Sequence, residues 1–264
     1  RNVARNKENL PLPDAEKDFL QYLSVKYSMP TWLVDLWSRR YGFPITETML
    51  SGLMQVHPVS LRFSTKLSAS ELEACCEQIR SRGAELVQNP YLPYVYQMQN
   101  GESFSALPGF EEGKYLVQDV SSALVVEMAG ITQQDFVVDV CAAPGGKSIL
   151  ASEKAARVLS RDVSAEKTAV IEENIHRMQC NNIEVQVFDG TQCDEALLGQ
   201  ADVVLLDVPC SGLGIMGKKR DIKYHASSEG IAELNVLQKE IVRASAGYVK
   251  MGGILMYSTC TIHR

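Results

Sequence analysis

Two segments place a thiol beside groups that could work with it: Asp207-Val208-Pro209-Cys210-Ser211-Gly212 and Tyr257-Ser258-Thr259-Cys260-Thr261. A thiolate is a strong nucleophile, and an acid within reach can hold or move a proton at the centre under attack. Unassisted, a cysteine titrates near about 8.5, so only a few per cent is thiolate at neutral pH. A lone thiol is most often an inert core residue. Two of them, each closing an apolar run of strand length, are hard to explain as packing alone. Cys75, Cys76, Cys180 and Cys193 fall on expected helices or loops away from strand ends, and no chemistry is assigned to them.

A third segment, Cys141-Ala142-Ala143-Pro144-Gly145-Gly146-Lys147, follows Val138-Asp139-Val140 and leads from a strand through a glycine turn into a helix. Small residues let the backbone approach a ligand, and a helix N-terminus offers amide donors to a carboxylate or phosphate. An ordinary tight turn is the plainer alternative. Through Ser148 the segment also matches the phosphate-loop pattern G-x-x-x-x-G-K-[ST] except at its first glycine. That leaves a phosphate-loop NTPase as a rival, with Asp207 on its Mg-binding strand. Asp162, closing Val158-Leu159-Ser160-Arg161, is placed to accept hydrogen bonds from the ribose of a dinucleotide or of S-adenosylmethionine. A helix cap is its alternative. Asp189 before Gly190 repeats the arrangement, with a plain turn as alternative.

These residues need a frame that presents strand ends side by side. Beyond Tyr115, apolar runs of strand length alternate with amphipathic stretches, the pattern of a parallel sheet covered on both faces. Strands are expected at Phe136 to Val140, Arg157 to Asp162, Glu184 to Phe188, Val203 to Asp207 and Gly253 to Ser258, with helices including Ala165 to Met178 and Ile231 to Val249. Such sheets bind ligands at the carboxyl ends of their strands, where strand order reverses. Residues 1–54 read as a helical segment or linker: Asp14 can cap a helix through Phe19, Leu20 and Leu23, and Thr31 can cap Trp32 to Tyr41, which Gly42 and Pro44 then stop. Residues 55–112 read as a small α+β subdomain, with a strand at Val59 to Phe63, a helix at Ser70 to Ser81 and a short run at Glu85 to Val87. Residues 113–264 form the expected catalytic domain.

With 264 residues, 45% hydrophobic and 22% charged, the composition is that of an ordinary globular protein with a sizeable core. No uninterrupted apolar run reaches the roughly 18 residues of a membrane span, and Arg1 to Arg5 lacks the apolar centre of a signal peptide. Both ends read as cut from something longer. Seven cysteines, an odd number without a C-x-x-C pair, point to reduced thiols in a cytoplasmic protein and to no metal site. A net charge of −6 excludes a wholly basic nucleic-acid surface, so any phosphate contact must be a local patch. Lys218, Lys219, Arg220 and Lys223 could form one, as could Arg62 with Phe63; a solvated loop and ordinary packing are the alternatives.

In methyltransferases acting on exocyclic amines an aromatic residue follows a proline pair at the place of Cys210. A thiol suits a different task, because C5 of cytosine is not nucleophilic until something adds to C6. At these residues the sequence resembles the Sun-type RNA cytosine-5 methyltransferases, from Arg1 through the Cys260 motif, on the combination C-A-A-P-G-G-K, D-x-P-C-S-G and S-T-C-T. The resemblance implies a Rossmann-like α/β methyltransferase sheet with a small α+β RNA-binding subdomain at 55–112 and an N-terminal helical segment. It implies S-adenosylmethionine bound by Cys141, Ala142, Ala143, Pro144, Gly145, Gly146 and Lys147, with Asp162, Asp189 and Asp207 contributing at successive strand ends. Cys260 is then the nucleophile, Cys210 assists release, and Asp207 meets N3 of the base. DNA cytosine-5 methyltransferases carry their nucleophile in the Pro-Cys motif, so a swapped role for Cys210 stays open. The implied partner is RNA, first of all small-subunit (16S) ribosomal RNA, met by a monomer. Members of the family usually carry an RNA-binding helical domain before the position of Arg1, and Pro-Glu-Glu-Asn with a terminal hairpin after the second thiol. A ribosome-assembly RNA binder without catalysis is the remaining alternative.

Overall fold

Along Phe136-Val137-Val138-Asp139 and Val203-Val204-Leu205-Leu206, successive apolar side chains point to opposite faces of one sheet, and both faces are covered. The computed structural model describes residues 11–55, 57–101 and 103–262; the expectations for Arg1 to Arg5, His263 and Arg264 lie outside the described residues. Contacts group the chain into two units, one made of Arg1–His57, Ser211–Ile231 and Cys260–Arg264, the other of Pro58–Cys210 and Ala232–Thr259.

The first unit is helical. It holds α1 (Phe19–Lys26), α2 (Thr31–Tyr41), α3 (Phe43–Met54) and the short α8 (Ile222–His225). Leu23, Leu33, Val34, Trp37 and Leu50 form its core together with Leu213 and Met216 from the second chain segment. The caps differ from those expected. Asp18, not Asp14, caps α1 by accepting the Gln21 N–H at 2.9 Å. Thr31 is the first residue of α2 rather than its cap, and its hydroxyl lies 3.1 Å from that of Ser24. Gly42 does end α2, at φ 78°, but Pro44 sits in the first turn of α3, where its missing N–H removes no helix bond.

The second unit contains two sheets. β1 (Val59–Phe63), β2 (Glu85–Gln88), β3 (Val95–Gln99) and β4 (Tyr115–Val117) pair antiparallel in the order β2-β3-β1-β4, so this sheet takes its last strand from beyond residue 112. α4 (Ala69–Ser81) packs on it through Cys75, Cys76 and Ile79, and starts at a reciprocal cap between Ser68 and Glu71. Leu61 and Phe63 face that core; Arg62, between them, faces the other way. That direction is not solvent. Arg62 is paired with Glu153 at 3.0 Å, their side chains 0% and 2% exposed, and Glu153 also accepts the Thr65 N–H and hydroxyl. Phe63 is equally buried. Arg62 therefore offers no surface to RNA, and that expectation is corrected.

Next along the chain come α5 (Val120–Met128), β5 (Phe136–Asp139), α6 (Gly146–Ser152), β6 (Arg157–Asp162), α7 (Ala165–Arg177), β7 (Ile183–Val187), β8 (Ala201–Asp207), α9 (Ser228–Ser245) and β9 (Val249–Ser258). The five strands are parallel in the order β7-β6-β5-β8-β9, so strand order reverses between β5 and β8. β6 has the expected bounds, β8 and β9 begin earlier, and Val249 belongs to β9 rather than to the helix before it. Val137, Val158, Val203 and Leu205 pack under α5 and α6 with Leu92 and Val95, which ties the small sheet to the large one. Val138, Leu159, Val204 and Leu206 pack on the other side with Ile241 and Tyr248. No helix among the described residues is long and apolar enough to cross a membrane.

Where β5 meets α6, Asp139 is fully buried, accepts the Ser148 hydroxyl at 2.7 Å on Oδ2 and has no hydrogen-bond partner on Oδ1. Burial pushes its carboxyl up to about 6, against the pull of Ser148 and Lys147.

Two outcomes follow. Glu153→Gln leaves the Arg62 charge buried without its counter-ion and should cost about 3–5 kcal/mol in denaturant unfolding, whereas a loss near that of an exposed pair would refute its structural weight. Asp139 binds its proton more tightly folded than unfolded, so its contribution is complete below about pH 4 and is lost as pH rises through its folded value, on the order of 3 kcal/mol. Across that window the stability of the parent should fall relative to Asp139→Asn; parallel curves would contradict the assignment.

Candidate active site

The glycine turn after β5 is shaped by its backbone. Ala142 N–H donates to Arg161 O at 2.8 Å and Gly145 N–H to Ala142 O at 2.7 Å, while the Ala143–Pro144 peptide is cis. Gly145 has φ 97°, a region costly for any residue with a Cβ. Gly146 opens α6, and a Cβ there would stand 3.3 Å from Gln118. Gln118 is buried with an unpartnered Oε1, and nothing in its local sequence marks it. Pro144 O accepts from Asn174 at 3.0 Å. Cys141 lines the turn with a thiol that burial, and then the charge of Asp139, pushes up to about 12. It is thus a wall of the site rather than a nucleophile.

At the end of β6, Asp162 is 5% exposed. Its Oδ2 accepts Ala143 N–H at 3.0 Å, and its Oδ1 accepts Val163 N–H at 2.8 Å and the Lys167 ammonium at 3.0 Å. A carboxylate has about four acceptor sites, so one more donor, such as a ribose hydroxyl, can be taken. The cap of α7 is Ser164, which removes the capping alternative for Asp162. Asp189, after β7, is exposed and accepts both Thr191 N–H at 2.9 Å and the Thr191 hydroxyl at 2.8 Å, a turn made with Thr191 rather than Gly190. A glycine cradle, a strand-end carboxylate with capacity left and two orphaned buried oxygens, on Asp139 and Gln118, suit a nucleoside bearing an amino-acid tail.

Asp207 closes β8, half-buried. The Lys147 ammonium is 2.6 Å from its Oδ2, and the Ser258 hydroxyl donates to its Oδ1 at 2.8 Å. A phosphate loop would need that ammonium on phosphates; here it is committed to Asp207. Asp207 and Ser258 are register partners, and Val208 N–H continues the pairing to Ser258 O at 3.2 Å. Pro209 O accepts from Gln238 at 2.7 Å, and Gln238 in turn accepts the Tyr257 hydroxyl at 3.0 Å, so α9 pins the turn into Cys210. Gln238 carries no sequence signal of this role. Cys210 is half-buried and Cys260 exposed. Within the first unit Ser211 Oγ lies 2.8 Å from Thr261 Oγ1, and Gly214 N–H donates to Cys260 O at 2.9 Å. Lys218, Lys219 and Arg220 are exposed, whereas Lys223 donates to Ser28 O at 2.5 Å and is partly spent inside its own unit.

Residues 128–264 match the family described as 16S rRNA methyltransferase RsmB/F. A probable ribosomal RNA small subunit methyltransferase B of Bacillus subtilis (strain 168) is 30% identical over 264 residues, covering 98% of this chain and 58% of that protein. The ribosomal RNA small subunit methyltransferase B of Proteus mirabilis (strain HI4320) is 32% identical over 240 residues, 90% of this chain and 56% of that protein. The chain thus spans a little over half the length of the curated relatives it matches. Among solved structures, PH0851 superposes with a TM-score of 0.87 at 29% identity, over 96% of this chain and 57% of that one. NSun6 from Pyrococcus horikoshii, solved with SFG, gives 0.75 at 20% identity over 86% and 82%, a likeness of fold. The sheet is the Rossmann-like sheet of methyltransferases, and the chain belongs to the S-adenosylmethionine-dependent 16S rRNA methyltransferase RsmB/F family.

Proposed function

We propose that this chain carries the catalytic part of an enzyme that methylates C5 of a cytosine in RNA, with small-subunit ribosomal RNA as substrate class, through a covalent cysteine adduct. The observation that carries the reading is the pairing of Asp207 with Ser258: the two thiol-bearing segments leave neighbouring strand ends beside one carboxylate. The likeness to ribosomal RNA small subunit methyltransferases supports ribosomal RNA as the substrate.

In this reading the Cys260 thiolate adds to C6, forming the S–C6 bond and moving the ring electrons toward N3 and C5. Neutral cytosine presents an acceptor at N3, so the group that meets it must donate. Asp207, when it carries the proton, donates it to N3 and takes it back as Cys260 leaves, while the Lys147 ammonium 2.6 Å from its Oδ2 holds the carboxyl in place. S-adenosylmethionine, when bound, would supply an electrophilic methyl to the electron-rich C5, its S–CH3 bond breaking to leave the thioether. Cys210, as base or through a water, then accepts the C5 proton; the C5=C6 bond re-forms and Cys260 leaves. Asp162 and Asp189 would hold the nucleoside of the cofactor and the turn at Cys141 to Lys147 its charged tail. The base must leave its stack to be reached, which favours single-stranded or distorted RNA. Lys218, Lys219 and Arg220 would hold phosphates.

With in-vitro transcribed 16S ribosomal RNA and labelled methyl donor, Cys260→Ala should reduce transfer to background and form no adduct. Cys210→Ala should accumulate a denaturant-resistant protein–RNA complex. The reverse pattern would exchange the two roles, and RNA binding without any transfer would leave a non-catalytic assembly factor.

A further inference from the structure

β9 ends at Ser258, so Cys260 lies past the last sheet residue and its backbone must be held by something else. Inside the first unit it is held twice. Gly214 N–H donates to the Cys260 carbonyl at 2.9 Å, and Thr261, the next residue, meets Ser211 hydroxyl to hydroxyl at 2.8 Å. The approach of Gly214 is close enough to require glycine: a Cβ would stand 2.7 Å from the Cys260 carbonyl oxygen and 3.3 Å from its carbon. Gly212, in the left-handed region at φ 69°, opens the single 3₁₀ turn Leu213–Ile215 that aims the Gly214 N–H. Leu213 and Met216 root that turn in the apolar core with Leu23 and Trp37, and Tyr41 donates to Ile262 O at 2.8 Å just beyond Thr261. The Gly214 donor thus comes from a turn rooted in the core.

We propose that Ser211, Gly214 and Thr261 form a clasp that positions the Cys260 thiol, tying its backbone to the turn that begins at the residue after Cys210. This rests on the reading that Cys260 adds to the base. Its members act through Cys260 and are positioning residues. They act on the orientation of an attacking atom, so the step they govern is formation of the S–C6 bond, and cofactor and RNA affinity should be unaffected. An attacking atom misplaced by about 1 Å can cost on the order of a hundredfold in rate.

The test measures the rate of denaturant-resistant adduct formation with in-vitro transcribed 16S ribosomal RNA in the Cys210→Ala background, alongside melting temperature, S-adenosylmethionine affinity by calorimetry, and kcat and KM in the Cys210 parent. Ser211→Ala and Thr261→Ala each remove one hydrogen bond and should slow the adduct about fivefold to tenfold. Gly214→Ala should slow it about a hundredfold. Thr261→Ser should restore it to within about twofold of the parent. In all of them kcat should fall with KM for RNA and cofactor affinity unchanged. Should Gly214→Ala fail to fold, the two alanine variants and the serine rescue decide alone. Adduct formation at the parental rate in Ser211→Ala and Thr261→Ala overturns the clasp while leaving the reaction scheme intact. An adduct that forms in Cys260→Ala but not in Cys210→Ala overturns both, because the attacking thiol would then be the other one.

Discussion

The parallel pairing of β8 with β9 runs from Val203↔Ile254 to Asp207↔Ser258, and the placement of every reactive group on that side of the sheet depends on this register. A slip of one residue would turn each side chain of β9 to the opposite face and put Tyr257 or Thr259 opposite Asp207 in place of Ser258. The apolar alternation resists that slip, since Leu206 and Leu255 belong to one buried cluster while Leu205 and Met256 pack on the opposite face. A register shift near Ala201 and Val203 absorbs the mismatch at the far end, away from the chemistry. The hydroxyl of Ser258 then locks one oxygen of Asp207, and Lys147, arriving from α6, takes the other.

Three carboxylates stand at neighbouring strand ends, and each is stabilised differently. Asp207 has an ammonium and a hydroxyl. Asp162 has two backbone amides and a half-exposed ammonium, enough to leave it ready for a neutral donor. Asp139 has one hydroxyl and no solvent, so desolvation outweighs what Ser148 and Lys147 give it, and the charges of Asp207 and Asp162 push in the same direction. Lys147 therefore acts on two acids at once: it directly neutralises Asp207 and partly offsets Asp139. The glycine turn sits among these charges, which explains why an amino acid of the turn rather than of a distant loop supplies the cation.

Much of the frame was legible in local pattern, and the failures have a common cause. β6 could be bounded because an apolar run ends at a charged residue that starts a helix-capping Ser164; β8 could be recognised because it is apolar on both faces. β4, three residues long, is shorter than any periodicity can reveal. Arg62 alternates with Leu61 and Phe63 as a surface residue would, and the acid that claims it, Glu153, is 91 positions away. Pro44 reads equally well as a stop or as a first-turn residue, because both roles tolerate a missing N–H. The ligand-side residues at strand ends were visible because strand ends are where such sheets expose backbone and acids. Gln118 and Gln238 were not, since their work lies in which distant carbonyl or glycine they face, and no neighbour in the chain records that.

The thiols sort themselves by surroundings. Burial raises Cys75, raises Cys76 to about 11, raises Cys141 to about 12 and raises Cys180, so each of these is held protonated and unreactive at neutral pH. Cys193, Cys210 and Cys260 lie outside that apolar interior. Cys193 is carried on a surface loop whose neighbouring acid, Asp194, is already drawn to Arg161 at 2.6 Å. Cys210 and Cys260 instead follow the paired strand ends of Asp207 and Ser258, where one oxygen of the acid is oriented by a hydroxyl and the other by an ammonium. Of the thiols outside the apolar interior, these two follow strand ends paired in register, and the proposed chemistry rests on that register.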